Sequence, residues 1–154
     1  MEREREYPDT DAEARELAER DRREGKSAST QAGEFVREEM HHIREGKHGA
    51  RSSKQAIAIA LSKARRAGVE LPAPKEEAAP EETIEAARRE TAAGLRRGRP
   101  NAKRSQATKK ALRREGRTAA SKTTLAGQAR SSARRRGAKA RSRAAKKAAR
   151  TRRR

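Results

Sequence analysis

Phe35-Val36-Arg37-Glu38-Glu39-Met40-His41-His42-Ile43, then Ser52-Ser53-Lys54-Gln55-Ala56-Ile57-Ala58-Ile59-Ala60-Leu61-Ser62-Lys63-Ala64-Arg65-Arg66-Ala67-Gly68, gather seven large aliphatic or aromatic side chains into one short region of a 154-residue chain. Phe35, Val36, Met40 and Ile43 recur at helical spacing, and Gly46 offers a stop. After the polar connection Lys47-His48-Gly49-Ala50-Arg51, Ser52 and Gln55 have the spacing of a capping box, each serving the other's backbone donor. Ile57, Leu61 and Ala64 then form the apolar stripe, with Ala56 and Ala60 permitting close approach. Gly68-Val69, with Pro72 behind, reads as a C-cap of the Schellman kind. Residues 30–68 are therefore expected to form an antiparallel helical hairpin. Seven side chains worth about 1.5–3 kcal/mol each stand against the ordering of about forty residues. Marginal stability follows, relieved by self-association or a protein partner docking on Phe35, Val36, Met40, Ile43, Ile57 and Leu61.

On the N-terminal side, residues 1–29 are highly charged, and 9–24 read as an exposed helix. Asp9, Thr10 or Asp11 can cap it, Arg22 and Arg23 suit its last turn, and Gly25 ends it. Its only large apolar residue is Leu17, so solvent on all sides is the expected setting. On the C-terminal side, 69–83 form an acidic Pro/Ala linker. Residues 84–97 suit a helix with Ile84, Ala87, Thr91 and Leu95 on one face. Residues 98–154 are an Arg/Lys/Ala-rich stretch of low complexity, expected to be disordered. With 31% hydrophobic, 1% aromatic and 42% charged residues, the fold class expected is mostly disordered with α-helical segments.

Charge is divided as sharply as hydrophobicity. Residues 1–90 hold 18 Lys/Arg and 21 Asp/Glu, whereas 91–154 hold 24 Lys/Arg and a single acid, Glu115. A near-neutral head on a basic tail points to phosphates, by charge neutralisation and counterion release. The tail has almost no Leu, Phe or Trp to insert into a bilayer, so membrane binding is disfavoured. Absence of cysteine excludes disulfides and Cys-based zinc sites. No run approaches the roughly twenty apolar residues of a membrane span, and Met1-Glu2-Arg3-Glu4 does not open a signal peptide. The expected setting is cytoplasmic.

Phe35 to His42 followed by Ser53 to Gly68, with the phrase Lys54-Gln55-Ala56-Ile57-Ala58-Ile59-Ala60-Leu61-Ser62 at its centre, resembles a short bacterial domain family of unknown function. The resemblance covers about a quarter of the chain. It implies a bacterial source and a nucleoid setting, because such small basic proteins include some with tails like those of bacterial linker-histone-like proteins; it implies no activity.

Arg97-Gly98-Arg99-Pro100 is similar to the core of the AT-hook. Gly98 lets the backbone sit on the floor of a narrow minor groove, Arg97 and Arg99 run along the A·T tract, and Pro100 keeps the strand extended. Arg96, Lys103 and Arg104 flank it for phosphate contacts, and Arg134-Arg135-Arg136, Lys146-Lys147 and Arg152-Arg153-Arg154 add further clusters. No tail aromatic is present for base stacking, which favours duplex DNA over single strands. His41, His42 and His48 lie near Glu38, Glu39 and Glu45, and His41 and Glu45 are one helical turn apart, but nothing in the spacing supplies a closed set of ligands, so no metal or other cofactor is expected. A helix-turn-helix reading, with Lys54, Lys63, Arg65 and Arg66 facing a groove, is disfavoured by the long connection and by the alanines on the second helix. The chain is thus expected to be a non-enzymatic, histone-like, nucleoid-associated duplex-DNA-binding protein with an A·T minor-groove preference. The alternatives are an RNA- or ribosome-associated basic factor and an adaptor acting through the hairpin.

Overall fold

The computed structural model describes residues 11–96 and 102–152. Local signals set most of its helices. Helix α1 (Asp11–Arg23) carries its acids early and its arginines late. It ends where Gly25 adopts φ 72° and Lys26 N–H reaches back to Asp21 O. Helix α2 (Ala28–Glu45) is capped by Ser27, whose side chain accepts from Thr30 N–H. Gly46, at φ 79°, closes it with its own N–H on Ile43 O and that of Lys47 on His42 O. Helix α3 (Ser53–Arg66) starts at Ser52, which accepts from Gln55 N–H at 3.1 Å. The reciprocal half of the capping box shifts by one residue, for Gln55 Oε1 takes the N–H of Arg51. Gly68 (φ 97°) and Val69 complete the Schellman turn through Arg65 O and Ala64 O.

Packing, however, departs from the sequence expectation. The fully enclosed face of α3 is the alanine row Ala56, Ala60 and Ala64, while Ile57 and Leu61 flank it half-buried. Small side chains set four apart let the neighbouring helices close on the backbone. At one end Phe35 and Ala32 of α2 meet Ala60, Ala64 and Val69, joined by Ala14 and Ala18 of α1. Helix α1 is therefore docked on α2 through an alanine stripe rather than solvated all round. At the other end Met40 and Ile43 pack with Ala50 and Ala56, so α2 and α3 run antiparallel. Since Phe35, Met40 and Ile43 are buried inside the chain, with Val36, Ile57 and Leu61 packed against the same core, this stripe is not a free surface for self-association or a partner.

The acidic linker is held at its start, where Val69 is buried and Leu71 packs on the core. Helix α4 (Glu81–Leu95) follows and lies against α3 through Ile84 and Ala87. Leu95, expected on that face, is 62% exposed. Its place is taken by Gly94, because a Cβ there would stand 2.0 Å from Arg65 O.

The largest correction concerns the tail. Sequence predicts a mostly disordered chain; the described part of the tail is instead helical, as α5 (Ala102–Leu112), a 3₁₀ turn η1 (Thr118–Ala120), α6 (Lys122–Arg135) and α7 (Gly137–Arg152). Alanine spacers have the highest helix propensity, and cations on a helix surface stay fully hydrated, so self-repulsion does not outweigh helix formation. Ser121 caps α6 by accepting from Thr124 N–H. Part of this segment belongs to the core. Ala119 and Ala120 are buried against Met40, Ile43 and Ala56, with Leu125 beside them. The segment is fixed by Arg44 Nε donating to Ala120 O, Ser53 Oγ to Ala119 O, Gly49 N–H to Leu112 O and Ala50 N–H to Gly116 O. Gly49 has no alternative, since a Cβ there would lie 2.0 Å from Glu115 O.

Candidate nucleic-acid interface

Helix α7 is exposed along its whole length and buries none of its residues. A helix with nothing to bury owes its surface to its side chains alone. Lys139, Arg143, Lys146 and Arg150 recur at i, i+4, i+7 and i+11, which sets them on one face with Lys147 and Ala140 at its edge; Ala144 and Ala148 lie toward the opposite side, where Arg141 and Arg152 also stand. At 1.5 Å per residue this stripe is about 16 Å long. Among the described residues none of its cations is ion-paired, so all are available to an external anion.

The cations singled out from sequence fall in different settings. Arg96 is exposed just after α4, and Lys103 and Arg104 are exposed at the start of α5. Arg134 and Arg135 end α6; Arg136 caps it, its Nε donating to Ser132 O at 3.4 Å. Lys146, Lys147 and Arg152 belong to α7. The AT-hook-like residues Arg97, Gly98, Arg99 and Pro100, and the terminal Arg153 and Arg154, lie outside the described residues. Lys139, Arg143 and Arg150 do not stand out in the sequence because they form no consecutive cluster; their helical spacing is the signal that finds them. Lys109, Lys110, Arg113 and Arg114 extend the exposed positive surface from α5.

Helix α3 contributes little to such a surface. Lys54 and Arg66 are exposed at its two ends, but Arg65 is buried, with Nη2 on Pro72 O, and Lys63 turns inward. An open depression of about 290 Å³ lies at its N-terminus, lined by Arg51, Ser52, Ser53, Lys54, Thr118, Ala119, Thr124 and Gln128. No carboxylate or imidazole enters that lining, so it assembles no acid–base pair.

Lys63 belongs to a second, internal ionic site that sequence reasoning missed. Its Nζ lies 2.9 Å from Glu39 Oε2 and 3.2 Å from Asp11 Oδ1, which ties α3 to α2 and α1. Burial depresses the Lys63 pKa, but the fields of Glu39 and Asp11 and their hydrogen bonds outweigh it and raise it above the usual lysine value. Beside this pair stand His42 and His48, their rings edge to face with centroids 6.2 Å apart. Burial pushes the His42 imidazole below its usual range, against the opposing field of Glu38. His41 stays outside, exposed and paired with Glu45 at 2.8 Å.

The described residues thus combine a helical fold, a cationic flank and a buried ionic centre. Comparison with models of protein families, with curated proteins and with solved structures finds no match. Among the described residues no helix is long and apolar enough to cross a membrane.

Proposed function

We propose that this protein is a non-enzymatic, histone-like nucleic-acid-binding protein of the bacterial nucleoid, which holds duplex DNA mainly through its phosphates. The observation that carries the reading is α7: a fully exposed helix with a row of cations and no acid of its own, attached to a segment in which 24 Lys/Arg accompany one Glu. Such a helix lies along a duplex without base contacts, and affinity accumulates as counterions leave. Residues 112–125, being part of the core, give α6 and α7 a rigid base on the helical head rather than a loose tether. The resemblance of residues 35–68 to a bacterial domain family and of Arg97-Gly98-Arg99-Pro100 to an AT-hook core adds the nucleoid setting and an A·T minor-groove preference to the same proposal.

The test is a titration of duplex DNA, structured RNA and single-stranded DNA side by side at matched salt. Duplex DNA binding tightest, with log K falling at a slope of about −7 against log salt for about eight phosphates, supports the reading. Tighter binding of RNA, or a flat salt response, overturns it.

A further inference from the structure

We propose that Glu39, His42 and His48 form a binding site for a divalent transition-metal cation, of which Zn²⁺ is the prototype, at the junction of α2 with the α2–α3 connection. One carboxylate oxygen of Glu39 and one nitrogen from each histidine lie within 4.8 Å of one another. Glu39 is 1% exposed and His42 4%, and both carry a polar atom in this cluster without a hydrogen bond: Glu39 Oε1 and His42 Nε2. Buried polar atoms normally find partners, so two orphans facing one point need an explanation.

The geometry around each atom supplies it. His48 Nδ1 lies 3.1 Å from Gly49 O, and because a carbonyl only accepts, Nδ1 carries the proton. Where Nε2 is unprotonated it offers a lone pair, and it stands 3.2 Å from Glu39 Oε1, which accepts no hydrogen bond. Two lone pairs at that distance repel unless a proton or a metal cation lies between them. The separation matches the edge of a tetrahedron built on Zn–N and Zn–O bonds of about 2.0–2.1 Å, roughly 3.3 Å. The backbone carbonyl behind His48 is the outer partner that metal-bound histidines use to fix tautomer and ring orientation. His42 Nε2 lies 2.7 Å from Glu38 Oε1, close enough for a hydrogen bond but with the wrong angle for one, so the carboxylate of Glu38 adds negative charge beside the cluster without completing it.

Charge agrees with a dication. Glu38, Glu39 and Asp11 contribute three negative charges and Lys63 one positive, leaving two that a dication bound to unprotonated imidazoles would neutralise. The neighbouring Lys47 is matched by its own partner, Glu45. Lys63 engages Glu39 through Oε2, which leaves Oε1 for the metal. His48, 16% exposed at its side chain, and Glu38, 20% exposed, open the site to solvent. Two imidazoles and carboxylate oxygens select zinc, nickel or iron over magnesium and calcium, which require oxygen alone. This inference does not depend on the nucleic-acid reading.

The experiment is isothermal titration of the chelator-treated full-length protein with Zn²⁺, repeated with Mg²⁺, and Co²⁺ absorption to report coordination. One Zn²⁺ per chain, no Mg²⁺ heat and the d–d bands of a tetrahedral cobalt site are expected. His48→Gln, at a partly exposed position, should weaken Zn²⁺ by more than the roughly 10–100-fold that loss of an outer-shell partner alone costs. His41→Gln should leave affinity unchanged, because His41 lies outside the cluster. Circular dichroism confirms that both variants fold. Absence of Zn²⁺ binding at tens of micromolar, or equal weakening by His41→Gln and His48→Gln, overturns the proposal.

Discussion

If α7 lies along a duplex, removing the charges of Lys139, Arg143, Lys146 and Arg150 has a calculable effect. The four positions span about 16 Å of helix, and a duplex presents one phosphate per roughly 1.7 Å of axis, so about ten phosphates lie within that length and each cation has one in reach. Each phosphate contact contributes about 0.9 to the slope of log K against log salt; replacing all four by Gln should therefore make the slope shallower by about 3.6. At about 0.1 M salt, the same counterion term amounts to between three and four decades of affinity. The fold should survive, since every substituted residue is exposed and Gln propagates a helix nearly as well as Lys or Arg. Fluorescence anisotropy of a labelled duplex from low to moderate salt, with circular dichroism as the folding control, reads both quantities. A variant that exchanges Lys and Arg at the four sites should keep the wild-type slope. A slope changed by less than one unit in the Gln variant would place α7 away from the DNA and refute the proposed role of this stripe.

Gly94→Ala, which sets a Cβ 2.0 Å from Arg65 O, and Gly49→Ala, 2.0 Å from Glu115 O, should each lower stability by at least about 1–3 kcal/mol in urea denaturation. No loss at Gly49 would mean that residues 112–116 do not close the hairpin. Lys63→Met leaves Glu39 buried without its ammonium and should cost about 3–5 kcal/mol, whereas Lys54→Met at an exposed site should stay within about 0.5 kcal/mol; equal melting temperatures for the two variants would contradict the seam. Arg97→Lys with Arg99→Lys preserves charge but replaces flat, weakly hydrated guanidinium groups, so it should abolish preference for A·T-rich over G·C-rich duplexes in competition while bulk affinity holds. An unaltered preference would show the Arg-Gly-Arg-Pro match to be an accident of composition.

What can be read along the chain is what is decided within a turn or two of it. Ser52 and Ser27 start helices because a side-chain oxygen meets a backbone N–H three residues on, and Gly25, Gly46 and Gly68 stop them because a positive φ suits glycine. The face of a helix that becomes buried is less legible. Ile57 and Leu61 look like the seam, yet the seam is Ala56, Ala60 and Ala64, since close helix approach rewards small side chains and leaves larger ones to wrap the edges. Leu95 reads as inward-facing for its hydrophobicity, but α4 is oriented by the contact of Gly94 with Arg65 O, and Leu95 turns out.

The surplus of cations beyond residue 91 is a property of composition, and counting is enough to find it. Their order is not. Low complexity reads as disorder when each residue is weighed alone, while Ala-rich spacers and the Ser121 cap make helices, and Ala119, Ala120 and Leu125 acquire meaning only against Met40, Ile43 and Ala56, far away along the chain. The ionic centre shows the same division. Glu39 and His42 share α2 and one helical turn, but His48 joins them only because Gly46 reverses the chain in the left-handed region, and Lys63 and Asp11 arrive from two other helices. Sequence by itself determined the helix ends, the charge boundary and the absence of thiol chemistry, for these are settled by covalent neighbours and by counting; tertiary structure alone decided which faces are buried and which ionisable groups meet, since both depend on helices distant in sequence coming within bonding distance.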